Sequence, residues 1–68
     1  MNERLFKSVM VANGDTQETL AKAMGIGLST LNAKIKGTQR EFRQNEIDTI
    51  KTRYKLTPEQ VTNIFFST

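Results

Sequence analysis

The chain has 68 residues, no cysteine, no histidine and a formal net charge of +3. Such a length makes one domain with a marginal core, and the missing residue types exclude a disulfide staple, a thiolate metal site, the usual zinc ligand and the usual general base. No apolar run approaches the roughly 18 residues of a membrane span, and no signal peptide is visible, so a cytoplasmic protein with no membrane attachment is expected.

Residues 3–13 predict an opening helix with Asn2 as its N-cap and an apolar stripe of Leu5, Val9 and Met10, with Phe6 beside them. Glu3 precedes Lys7 by four residues, the favourable order for a helical ion pair. Asn13-Gly14 ends the helix. The next cap is either Asp15, with Glu18 three residues on, or Thr16.

The stretch Thr16-Gln-Glu-Thr-Leu-Ala-Lys-Ala-Met-Gly-Ile-Gly-Leu-Ser-Thr-Leu-Asn-Ala-Lys-Ile-Lys-Gly37 organises the rest of the chain. It predicts two short helices joined by a tight turn. Leu20, Ala21 and Met24 share one face of the first, and Ala21 is small enough for a close helix crossing. Gly25 falls where a left-handed residue is needed, and Ile26 plugs inward from the turn. Leu31 and Ile35, four apart, form the inward pair of the second helix, and Gly37 stops it. Leu28, Ser29, Asn32, Ala33 and Lys36 are left pointing away from the core.

Residues 38–43 predict a loop. A fourth helix over 44–54 has Ile47, Ile50 and Tyr54 inward, and Leu56 closes that unit. Thr57-Pro58-Glu59-Gln60 is a Thr cap, a proline at the first helical position and a glutamine three residues after the cap, opening a last helix over 58–66. That helix buries Val61, Ile64 and Phe65 in some combination. The expected fold class is all-α, a compact five-helix domain.

The two-helix stretch resembles the helix-turn-helix of the phage repressor and Cro family, through Thr16-Gln17, Leu20-Ala21, Gly25-Ile26, Ser29-Thr30-Leu31, Ile35 and Gly37. The tail pattern of Phe42, Glu46-Ile47, Ile50, Leu56-Thr57, Val61 and Ile64-Phe65-Phe66 is similar to the same lambda repressor-like proteins. The likeness covers almost the whole chain. It implies a Cro-sized, sequence-specific regulator of transcription that occupies a double-stranded DNA operator, and no cofactor.

In the family's geometry the second helix of the motif enters the major groove and the first crosses the backbone. The resemblance therefore implies base contacts from Leu28, Ser29 and Asn32, with Ala33 adding close approach or a methyl contact. Asparagine can pair with adenine through two hydrogen bonds, and leucine can pack on a thymine methyl. It implies phosphate contacts from Gln17, Lys34, Lys36, Thr38, Gln39, Arg40 and Arg43. Plainer roles stand beside these: solvated side chains for the polar residues, and a cover over the core edge for Leu28. Gly27 departs from the family, which puts Ser or Thr there as the helix cap.

Charge placement supports the same reading independently. Basic and acidic residues balance over 1–33, whereas residues 34–55 hold Lys34, Lys36, Arg40, Arg43, Lys51, Arg53 and Lys55 against Glu41, Glu46 and Asp48, a surplus of four. Phe65 and Phe66 point about 100° apart on one helix, so one of them is exposed unless something covers it. A homodimer on DNA, closed through this tail, would cover it and set two reading helices one DNA turn apart. The alternative is a protein-binding module on the same fold, a modulator of a partner repressor or an antitoxin. An enzyme is not expected, since no nucleophile has a base beside it.

Overall fold

Side-chain caps at Asn2, Thr16 and Thr57 open the first, second and fifth helices, and left-handed residues at Gly25, Gly37 and Lys55 close the second, third and fourth. The structure, a computed structural model, describes residues 1–37 and 41–66. They form α1 (Glu3–Ala12), α2 (Gln17–Met24), α3 (Leu28–Lys36), α4 (Gln44–Tyr54) and α5 (Pro58–Phe65). Among the described residues there is no strand, and no helix is long and apolar enough to cross a membrane.

Asn2 caps α1 by accepting the Leu5 N–H at 3.0 Å, and its own N–H donates to the Ile64 carbonyl at 2.7 Å. The start of α1 is thereby tied to the end of α5. The choice left open at the second cap falls on Thr16. Its hydroxyl accepts the Thr19 N–H at 3.1 Å while the Thr19 hydroxyl accepts the Thr16 N–H at 2.9 Å. Thr57 and Gln60 form the same reciprocal pair at the start of α5, with Pro58 in the first turn.

Gly25 ends α2 at φ 71°, and its left-handed turn lets the Ile26 N–H reach back to the Ala21 carbonyl. The end of α4 has the same geometry at Lys55, φ 53°, with the Leu56 N–H on the Lys51 carbonyl. A left-handed non-glycine residue costs about 1–2 kcal/mol, partly offset by glycine's extra chain entropy. We therefore expect Lys55→Gly to raise stability by about 0.5–1 kcal/mol, a Tm increase of about 4 °C for a domain this size. A melt showing a lower Tm would contradict this.

The core gathers one face from every helix. Phe6, Leu20, Leu31, Ile35, Ile50 and Ile64 are its fully enclosed side chains, with Met10, Ala21, Tyr54 and Leu56 around them. On α1 the expected stripe is turned by one position: Phe6 takes the centre with Met10, while Leu5 and Val9 only pack on the margin. The reason is aromatic. Phe6, Phe42 and Phe65 form a mutual cluster with ring centroids 5.5–5.9 Å apart, and Phe65 meets each of the other two nearly edge-on. Phe42, in the segment before α4, thus packs on one aromatic ring from α1 and one from α5.

Candidate nucleic-acid interface

Helix α3 has two faces of different chemistry. Leu31, Lys34 and Ile35 are buried, and Leu28, Ser29 and Lys36 are exposed. Asn32 and Ala33 lie half-buried along the margin between these faces. Leu28 is 49% exposed, so it does not act as a cover for the core edge. The three-residue turn Gly25-Ile26-Gly27 places α3 against α2, with Ile26 packed on the core.

Gly27 caps α3 without a side-chain hydrogen bond. Its φ of −72° is ordinary for any residue, and a Cβ there would meet only the Thr30 hydroxyl, at a relaxed 3.9 Å. We expect Gly27→Ser to supply the missing cap and raise stability by about 0.3–0.5 kcal/mol. A denaturant titration giving a lower midpoint would count against it.

Helix α4 braces this two-helix unit at both ends through partly or wholly buried ion pairs. At the start of α2, Asp15 is only 8% exposed. It accepts four hydrogen bonds: Arg53 Nε at 2.7 Å, Arg53 Nη2 at 2.8 Å, the Tyr54 hydroxyl at 2.7 Å and the Thr19 hydroxyl at 2.9 Å. The two-pronged arginine contact, with help from Tyr54 and Thr19, outweighs burial and holds the Asp15 carboxyl well below the usual carboxylate range. Burial, reinforced by the bond to Asp15, pushes the Tyr54 hydroxyl above its ordinary value. The neighbouring carboxylate likewise raises Arg53.

At the other end, Lys34 Nζ lies 2.9 Å from Glu46 Oε1 and 3.3 Å from the Glu41 carbonyl oxygen. The same Glu46 oxygen accepts the Arg43 N–H at 2.8 Å, the first bond of α4's cap. Burial pushes the Glu46 carboxyl up, but the Arg43 N–H and the Lys34 ammonium together bring it below its ordinary value. This corrects one expectation. Lys34 is not a phosphate contact: its side chain is 6% exposed and its charge is consumed by Glu46. It lies three residues after Leu31, on the buried face, and that spacing was the signal for its burial.

The remaining expected contacts divide simply. Lys36 and Arg43 are exposed, and Gln17 is half-buried as the first residue of α2. Thr38, Gln39 and Arg40 lie outside the described residues. Among the described residues, no carboxylate pairs with Lys36, Arg43, Lys51 or Lys55. The paired cations of residues 34–55 among those described are Lys34, bound to Glu46 within the stretch, and Arg53, bound to Asp15 outside it. No family model, curated protein or solved structure matches the chain.

The tail aromatics part company. Phe65 turns inward onto Phe6 and Phe42, so its expected place in a dimer contact gives way to a place at the core margin. Phe66 is 60% exposed and shares a cleft with Met1, itself 40% exposed. Sequence reasoning missed Asp15, Arg53 and Tyr54 as a unit, because nothing local links positions 38 and 39 residues apart.

Proposed function

We propose that the chain is a sequence-specific DNA-binding regulator of transcription, of the phage repressor and Cro kind, acting by occupying an operator and blocking polymerase. In this reading α2, the Gly25–Gly27 turn and α3 form a helix-turn-helix, and α3 lies in the major groove. Leu28, Ser29 and Asn32 meet base edges, Ala33 gives close approach, and Gln17, Lys36 and Arg43 meet phosphates, with Thr38, Gln39 and Arg40 between the last two. The observation that carries the reading is the division of α3: a core face of Leu31, Lys34 and Ile35, and an outer face of Leu28, Ser29 and Lys36 with Asn32 and Ala33 at its margin. The groove is about 12 Å wide and accepts a helix whose outward side chains reach base edges.

The regulator acts as a homodimer on DNA, with Phe66 at the contact between copies. A second reading, a protein-binding module directed at a partner repressor or a toxin, is favoured by one observation, the exposed Phe66 beside Met1. An amide chemical-shift titration with a mixed-sequence duplex at low salt separates the two. We expect the largest shifts at Gln17, Ser29, Asn32, Lys36 and Arg43. Shifts absent from α3 would overturn the DNA reading and direct attention to the Phe66 patch.

A further inference from the structure

Lys34 occupies a position on α3 where an apolar residue would serve the core equally well. A buried ion pair is weak support for stability, because desolvating both ions offsets much of their attraction. Its geometry here does something an apolar side chain could not. The ammonium holds the Glu41 carbonyl oxygen and the Glu46 carboxylate, the two ends of the segment that carries Arg43. Glu46 Oε1, the oxygen that Lys34 grips, also accepts the Arg43 N–H. One oxygen atom therefore connects α3 to the backbone of an exposed arginine.

We propose that Lys34 is a positioning residue that fixes Arg43 on the DNA backbone relative to the base-reading side chains of α3. This rests on the reading of α3 as the recognition helix. Base contacts give sequence information only when phosphate contacts set the protein's register on the duplex. Leu31 and Ile35 anchor α3 in the core on either side of Lys34, so a lysine at this site transmits the helix's position directly to residues 41–46.

The test is a double-mutant cycle on binding to a duplex of about 20 base pairs, two helical turns, at about 50 mM salt. Arg43→Ala is measured in wild type and in Lys34→Met, with melts confirming that each protein is folded. In wild type, Arg43→Ala should weaken binding about a hundredfold, as for loss of one charge-assisted hydrogen bond from each of two subunits. In the Lys34→Met background the same change should cost less than about threefold, since the pair is coupled. Lys34→Gln retains a donor for Glu46 without the charge; it should restore part of the Arg43 effect, and it carries the cycle if Lys34→Met does not fold.

Equal costs of Arg43→Ala in both backgrounds would overturn the inference and leave the DNA reading intact. So would an Arg43→Ala change that costs wild type nothing. Failure of wild type itself to bind the duplex would overturn the DNA reading, and the inference with it.

Discussion

Asp15→Ala is expected to remove about 3 kcal/mol of stability, measured by urea denaturation at neutral pH. The substitution removes the acceptor from three residues, of which Thr19 keeps the Thr16 carbonyl oxygen for its hydroxyl. Arg53, whose side chain is 38% exposed, can turn to water and recover much of its solvation. Tyr54 is 7% exposed and cannot, so its hydroxyl loses its acceptor inside the protein. An orphaned buried donor costs about 1–3 kcal/mol, and the enclosed Tyr54 hydroxyl places this case at the upper end, the solvated Arg53 adding little. A domain of this length has only about 3–10 kcal/mol to lose. A loss under about 0.5 kcal/mol would mean that the brace between α2 and α4 contributes nothing.

The same carboxylate sets the acid response. The folded protein holds Asp15 below its unfolded value, so its contribution is complete above the ordinary carboxylate pKa of about 4 and is lost as the pH falls below it. Glu46 is shifted in the same direction and adds to the effect. Tm should be nearly flat between about pH 5 and 7 and fall below about pH 4, with a shallower acid slope in Asp15→Asn. An identical slope in the two proteins would assign the acid response elsewhere.

DNA affinity is expected to fall about a thousandfold between about 50 and 200 mM salt. The proposed interface brings Lys36, Arg40 and Arg43 to phosphates from each of two subunits. Six neutralised phosphates release their counterions, giving a log–log slope of about −5. Lys34 and Arg53 do not enter this count, because Glu46 and Asp15 already neutralise them. Lys36→Ala should lower the magnitude of the slope by about two, one phosphate per subunit, and weaken all sequences alike. A slope near zero, measured by filter binding or anisotropy, would indicate an apolar partner surface instead.

The helices were legible in the residues to within a position or two, for reasons that are local. A threonine followed by proline marks the start of α5, left-handed glycines close α2 and α3, and the spacing of Ile47, Ile50 and Tyr54 gives α4 its buried face. What the residues did not disclose depends on distant partners. Asp15 looked like a competing cap because its arginine and tyrosine lie at the far end of α4. Lys34 looked like a surface cation because lysines usually are, although its place beside Leu31 and Ile35 put it on the inner face. Phe65 and Phe66 could be told apart only once Phe6 and Phe42 were seen to accept one of them.

Selection of bound duplexes from a random pool at fixed salt, with wild type beside Asn32→Ala, tests most directly whether α3 reads sequence. An enriched palindromic motif whose half-sites lie about one helical turn apart is the expected result, relaxed at a single position by Asn32→Ala. Retention of DNA with no enriched motif, unchanged by Asn32→Ala, would contradict it.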